Sequence, residues 1–220
     1  MMKKISVLGA GSWGTALAML LNENGHDVTI WSIDQREVKM LNEEREQKDK
    51  LPGIPLSEKI AVTNDLKEAV EERDILVFAV PSVFVRSTAK SVAPYYKEGQ
   101  VIVDVAKGIE ESTLMRLSEI IEAEIKNSMV CVLSGPSHAE EVARKIPTTV
   151  VVGAKDYAIA KDLQQVFSNG WFRVYTNPDI LGIELGGALK NVIALAAGIC
   201  DGLKFGDNSK AALITRGVAE

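Results

Sequence analysis

The sequence predicts an α/β fold in which a mostly parallel sheet is covered by helices on both faces. Short segments rich in Val, Ile and Leu recur along the first 180 residues, and helical patterns separate most of them. Continuous apolar runs of this length are typical of strands buried on both faces, and their alternation with helices predicts parallel strands. The direction of the last two strands is left open. We expect strands at residues 5–8, 28–31, 60–63, 75–80, 101–105, 129–133, 148–152 and 172–175.

Helical patterns fill the intervals between strands and the end of the chain. The first helix is rich in Ala and Leu and ends at Gly25. From residue 180 onward the strand pattern disappears, and a long segment rich in Ala, Gly and Leu is apolar nearly all round, which predicts a buried helix. We expect helices at residues 15–24, 34–48, 82–92, 113–125, 157–167, 184–200 and 209–220.

Composition narrows the class of protein. The chain carries 30 acidic and 25 basic residues and contains no dense Lys/Arg run, so we expect neither a nucleic-acid partner nor an anionic membrane surface. No segment reaches the ~20 consecutive apolar residues of a membrane span. Cys131 and Cys200 form no C-x-x-C pair. We therefore expect reduced thiols, no metal site and a cytoplasmic location.

A glycine-rich turn, Gly-Ala-Gly-Ser-Trp-Gly at residues 9–14, follows the first predicted strand and opens the first helix. With a second strand behind it, this is the context in which G-x-G-x-x-G binds a dinucleotide. Gly9 permits the tight turn, Gly11 lets the backbone approach a pyrophosphate, and Gly14 lets the helix pack closely on the sheet. The helix N-terminus attracts the phosphates. The sequence therefore predicts a Rossmann-type domain that binds NAD(P)H.

Two residues near the end of the second strand bear on the choice of cofactor. Asp34 lies about twenty residues past the motif, where a carboxylate accepts a hydrogen bond from the ribose 2′-hydroxyl of NAD. Ser32, helped by Arg36, is instead suited to the 2′-phosphate of NADP. Asp34 is equally suited to cap the next helix. The choice between NAD and NADP therefore stays open.

Polar residues also follow two strands that end on one edge of the predicted sheet, where ligands bind in such folds. Lys107 emerges directly after a buried strand and beside a glycine. Gly135 and Ser137 lie in the loop after the next strand and offer backbone N–H groups and a hydroxyl. Lys190 and Asn191 are strongly polar groups in the middle of the long apolar helix. A buried lysine is suited to proton transfer near neutral pH.

We place a domain boundary between residues 180 and 181. Residues 1–180 form the dinucleotide-binding domain, and residues 181–220 are the first helices of a helical substrate domain. The chain stops at Glu220 within a predicted helix and without a cap. We therefore expect the helical domain to be incomplete.

Together, these motifs resemble the soluble, bacterial-type NAD(P)-dependent glycerol-3-phosphate dehydrogenases. The resemblance covers the chain in colinear order, and its last three pieces are specific to that family. The matching pieces are GAGSWGTALA (9–18), FAVPS (78–82), KG (107–108), SGPSHAE (134–140), ELGGALKNVIA (184–194) and ALITRGVAE (212–220).

The resemblance implies interconversion of dihydroxyacetone phosphate and sn-glycerol 3-phosphate with NAD(P)H, a reaction that feeds glycerophospholipid synthesis. It also implies that Lys190 is the catalytic residue that exchanges a proton with the substrate oxygen. The expected substrate contacts are Lys107, Gly135, Ser137, Lys190 and Asn191. The expected cofactor contacts are Gly9, Gly11, Ser12, Trp13, Gly14, Ser32, Asp34, Lys107 and Ala139.

This sequence departs from the family pattern at two places. Many members carry an Arg at the position of Ser32, and their second domain continues past Glu220 with an Asp and a Ser-Arg-Asn segment that complete the site. The 220-residue chain is therefore expected to bind cofactor weakly and to be inactive. Two alternatives are another Rossmann-type 3-hydroxyacid or hydroxyacyl-CoA dehydrogenase and a non-catalytic dinucleotide-binding module. The oligomeric state is open, with a homodimer as one option.

Overall fold

In the computed structural model, which describes residues 1–219, eight strands form one sheet. They are β1 (Lys4–Leu8), β2 (Asp27–Trp31), β3 (Ala61–Thr63), β4 (Ile75–Phe78), β5 (Val101–Asp104), β6 (Met129–Ser134), β7 (Thr148–Gly153) and β8 (Phe172–Asn177). The order across the sheet is β3-β2-β1-β4-β5-β6-β7-β8. Neighbouring strands are parallel except β6 and β7, which are antiparallel. The predicted strands and the mostly parallel sheet are confirmed.

Helices cover both faces of this sheet, as predicted. One face carries α1 and α7, whose Leu17 and Phe167 belong to one buried apolar cluster; Val85 of α4 and Ile121 of α5 belong to the cluster on the other face. The final predicted helix ends at Glu220, which lies outside the described residues. The helices are α1 (Ser12–Glu23), α2 (Gln35–Glu44), α3 (Leu66–Val70), α4 (Val85–Val92), α5 (Leu117–Glu124), α6 (Ala139–Ala143), α7 (Tyr157–Phe167), α8 (Ile180–Gly202) and α9 (Asp207–Ala219).

The strand order places a crevice at the centre of the sheet. β1 lies between β2 and β4, so the chain leaves β1 toward one edge and returns to the other side of the same strand. The loops that follow β1 and β4 diverge at this point, and ligands of open α/β sheets bind in the crevice that results. The predicted glycine turn lies here, directly after β1.

Several predicted helix bounds are wrong. α2 ends four residues earlier than expected, because Arg45 adopts a left-handed conformation (φ 50°) and its side chain donates to the carbonyl oxygen of Ile60 at 2.9 Å. α5 begins at Leu117 rather than residue 113, because Leu114 is left-handed (φ 60°) in the turn before it. The short helices α3 and α6 were not predicted, since five residues show too little periodicity.

The expectation that the long apolar helix is buried is also wrong. α8 is mostly exposed, and Cys200 is its one buried residue in the part of the chain that the structure describes. A helix that is apolar all round needs neighbours on every side. Within residues 1–219, its main contacts are with α9, β6 and β7, which cover only part of its surface.

Helix α8 also contradicts the expectation that no segment is long and apolar enough for a membrane span. Its 23 residues and its mean hydropathy of 1.6 meet that requirement by length and composition. A single helix of this kind is weak support for a membrane span, since core helices of soluble proteins meet the same requirement.

Candidate functional site

The glycine turn joins β1 to α1 at the central crevice. Gly9 has a φ of 126°, and a Cβ at this position would lie 2.6 Å from the carbonyl oxygen of Ala79. A Cβ on Gly14 would lie 2.0 Å from the carbonyl oxygen of Gly9. A Cβ on Gly11 would meet nothing within 4 Å. The turn itself therefore requires Gly9 and Gly14, whereas the backbone of Gly11 faces open space.

A cavity of about 700 Å³ opens at this turn. α1 begins after Gly11 without a side-chain cap among the described residues, so its first backbone N–H groups are available to an anion. The bare backbone of Gly11 and these N–H groups fit the diphosphate of a dinucleotide. The predicted cofactor residues that line the cavity are Gly9, Gly11, Ser12, Trp13, Ser32, Asp34 and Lys107.

The end of β2 forms the far wall of this first cavity. Ser32 is buried, and its hydroxyl donates to Glu37 at 2.6 Å. Asp34 caps α2 by accepting from the backbone N–H of Arg36 at 2.9 Å, which confirms the capping alternative. Hydrogen bonds from the side chain and backbone of Arg36 hold the pKa of Asp34 at about 2. Asp34 is therefore a carboxylate at neutral pH.

Lys107 lies where the first cavity meets a second one of about 800 Å³. Its Nζ donates to the hydroxyl of Ser137 at 2.7 Å and to the carbonyl oxygen of Gly135 at 3.0 Å. Burial lowers the pKa of Lys107, and the positive charge of Lys190 lowers it further. Lys107 and Ser137 line both cavities. The two loops predicted to meet at the sheet edge do meet there.

Helix α8 supplies the opposite wall of the second cavity. Lys190 lines it, but the side chain is exposed, so the premise that this lysine is buried is wrong. Its Nζ donates to Oδ1 of Asn191 at 2.7 Å. A Cβ on Gly187 would lie 2.9 Å from Oγ of Ser134, so this glycine lets α8 approach the end of β6 closely.

Glu184 anchors the start of α8 to α5. Its carboxylate accepts from the Ser118 hydroxyl at 2.7 Å, from the Ser118 backbone N–H at 3.0 Å and from the Arg116 guanidinium at 2.6 Å. Glu184 is assigned no role in the sequence analysis. Its true partners lie 66 and 68 positions away in the chain, and no local pattern indicates them.

Asp104 is a buried carboxyl at the end of β5, three residues before Lys107. Burial raises its pKa to about 8, and the nearby charge of Glu184 adds to this effect, while a hydrogen bond from the backbone N–H of Ala106 opposes it. Sequence reasoning gave this residue no role. The sequence signal that could have indicated a role is the single acidic residue at the end of an otherwise apolar strand.

Three predicted site residues line neither of these two cavities. Gly14 supports the turn from below, Ala139 is buried as the first residue of α6, and Asn191 is exposed beside Lys190. Their roles, like those of the other site residues, stay predictions.

Two family profiles match the chain. The profile described as the NAD-dependent glycerol-3-phosphate dehydrogenase N-terminus matches residues 4–160, and the corresponding C-terminus profile matches residues 179–220. Together they leave only a short interval unmatched between the two, which includes β8.

Individual relatives of this chain are named as members of the same family. A protein of Agathobacter rectalis named glycerol-3-phosphate dehydrogenase (NAD(P)+) is 60% identical over 219 residues, which are 100% of this chain and 65% of that protein. One of the same name from Bacillus subtilis is 52% identical over 100% of this chain and 64% of its own length. This chain thus spans about two thirds of the length of these relatives.

A solved structure shares the fold over nearly the whole chain. The crystal structure of glycerol-3-phosphate dehydrogenase from Coxiella burnetii has a TM-score of 0.90 and 38% identity, over 98% of this chain and 66% of that one. The chain therefore belongs to the NAD-dependent glycerol-3-phosphate dehydrogenase family.

Proposed function

We propose that the protein reduces dihydroxyacetone phosphate to sn-glycerol 3-phosphate, and catalyses the reverse reaction, with NAD(P)H as the hydride carrier. The observation that carries this proposal is the junction at Lys107 and Ser137, which line both the cavity at the glycine turn and the cavity facing Lys190. A dinucleotide in the first cavity and a small phosphorylated ketone in the second would meet there. A cytoplasmic location, glycerophospholipid synthesis and a homodimer are further expectations.

The chain's own residues divide the chemistry between them. NAD(P)H held at the glycine turn by Gly11 and the N-terminus of α1 would supply the hydride that reduces the carbonyl carbon of the substrate. The carbonyl oxygen then gains negative charge, and the ammonium of Lys190 donates a proton to it, which leaves a neutral amine and a hydroxyl. Lys107 places a second positive charge at the cavity junction, where it attracts the substrate and stabilises the developing alkoxide.

The dinucleotide site can be tested by replacing Gly11 with alanine. The added methyl group meets no protein atom within 4 Å, so the thermal unfolding temperature should change little. It occupies the space where the backbone approaches the diphosphate, so the Kd for NADH should rise by about tenfold or more. Isothermal titration calorimetry measures the Kd.

Gly170→Ala is the matched control, because a Cβ there also meets nothing within 4 Å and the position lies outside the cavity. It should leave both quantities unchanged. If Gly11→Ala bound NADH as tightly as Gly170→Ala, the diphosphate would not lie at the glycine turn.

The substrate is tested with the whole protein by comparing turnover of dihydroxyacetone phosphate with that of 3-hydroxyacids and a hydroxyacyl-CoA. We expect kcat/KM for dihydroxyacetone phosphate to be about 100-fold or more above that for the other substrates. The reason is that Lys107 and Lys190 together offer two positive charges to a phosphate and a developing oxyanion. A higher kcat/KM for a hydroxyacid would support the alternative dehydrogenase. Cofactor binding without turnover of any of these substrates would support a non-catalytic module.

A further inference from the structure

We propose that Glu37 makes the ribose end of the first cavity selective for NAD(H) over NADP(H). The inference rests on the proposed dinucleotide site and concerns which of the two cofactors that site takes. The two forms differ only at the ribose 2′ position, which carries a hydroxyl in one and a phosphate in the other. The residues at the end of β2 decide between them.

Ser32 cannot offer its hydroxyl proton to a 2′-phosphate in this arrangement. The hydroxyl donates to Oε2 of Glu37 at 2.6 Å and accepts from the backbone N–H of Asp34 at 3.2 Å. Its single proton is therefore already committed to a carboxylate.

Arg36 does not offer a phosphate contact at the cavity wall either. Its guanidinium donates to both carboxylate oxygens of Asp34, at 3.2 and 2.8 Å, and it does not line the cavity. The two groups that could have recognised a 2′-phosphate, the hydroxyl of Ser32 and the guanidinium of Arg36, each bind a carboxylate instead.

Glu37 is held firmly at the cavity wall. Its side chain is 13% exposed, accepts from Ser32 and forms an ion pair with Lys50. Lys50 follows the buried Gln47, whose amide donates to the carbonyl oxygen of Ala10 in the glycine turn at 2.7 Å. The segment that carries Lys50 is thus tied to the same turn that would hold the diphosphate.

The charges at this end of the cavity favour a ribose 2′-hydroxyl over a 2′-phosphate. The cavity wall at this end holds the carboxylates of Asp34 and Glu37 and the ammonium of Lys50. A ribose 2′-hydroxyl can donate to the free lone pairs of Glu37 without displacing Lys50. A 2′-phosphate has only acceptor oxygens at neutral pH. It would lie against two carboxylates and would have to take Lys50 from Glu37.

The test is the ratio of Kd for NADPH to Kd for NADH, measured by calorimetry on this chain and on Glu37→Gln. The amide retains an acceptor for Ser32 and removes the negative charge. We expect a ratio of about tenfold or more in the unmodified chain, and a ratio at least threefold smaller in Glu37→Gln, mainly because NADPH binds more tightly. High salt should also reduce the ratio of the unmodified chain.

Glu43→Gln is the control, because it makes the same charge change on an exposed residue of α2 that does not line the cavity. It should leave the ratio unchanged. A ratio near one in the unmodified chain, or the same ratio in Glu37→Gln and Glu43→Gln, would overturn this inference while NADH binding still supported the proposed function. If neither dinucleotide bound, the proposed function would fail and this inference with it.

Discussion

Replacing Lys190 with alanine should reduce turnover of dihydroxyacetone phosphate by about 10²–10⁴-fold, the range of general acid–base assistance. The variant loses the ammonium that we propose as the proton donor to the substrate oxygen. Lys190 lies on the wall of the second cavity and does not line the first, so the Kd for NADH should change less than threefold or so. Steady-state kinetics of the whole protein measures the first quantity, and calorimetry measures the second.

Lys126→Ala provides the control, because it removes an exposed lysine that lines neither cavity. It should leave both turnover and cofactor affinity unchanged. Lys190 is exposed in this chain, so its removal creates no cavity among the described residues. Equal thermal unfolding temperatures of Lys190→Ala and Lys126→Ala in the whole protein would separate a loss of turnover from a loss of folding. Turnover in Lys190→Ala equal to that in Lys126→Ala would exclude Lys190 as the proton donor.

Replacing Asp104 with asparagine should remove a pH dependence of folding. Burial raises the pKa of Asp104 from 3.8 to about 8. Between these values the native state keeps a proton that the unfolded chain has lost, so the free energy of unfolding falls as the pH rises. This single group contributes a slope of up to ~1.4 kcal/mol per pH unit. Asparagine cannot ionise and should flatten the slope.

Denaturant unfolding followed between pH 4.5 and 8 measures this slope, a window of about 3–4 pH units set by the two pKa values. The amide oxygen of asparagine can still accept from the backbone N–H of Ala106, so the variant should fold. Asp27→Asn makes the same substitution at an exposed strand end and should retain the slope. Equal slopes in the two variants would mean that Asp104 ionises in the native state as it does in the unfolded chain.

The strands were predictable because their information is local. A strand buried on both faces needs a continuous apolar run, and runs such as those at β4 and β6 form strands as predicted. The edge strand β8 was predictable from its alternation of buried and exposed residues. The direction of β7 was not predictable. It pairs antiparallel with β6 and parallel with β8, and this choice depends on contacts between segments that are separate in sequence.

Helix ends and helix burial were less predictable than strands, because they also depend on contacts between segments that are separate in sequence. α2 stops at Glu44 because the side chain of Arg45 reaches a carbonyl oxygen fifteen residues away. Apolar composition predicted that α8 is buried, but composition does not say which neighbours are available to cover a helix. Lys190 is exposed because it lies on a part of α8 that no neighbouring element within residues 1–219 covers.

By itself, the sequence determined the α/β alternation, the glycine turn and membership of the dehydrogenase family, because each depends on residues that are adjacent or regularly spaced. Only the tertiary structure decided that Lys107 and Ser137 line two cavities, that burial raises the pKa of Asp104, and that Glu37 is paired with Lys50. Burial and the distances between charges set these properties. Both are fixed by how distant segments pack, and neither can be read from neighbours in the chain.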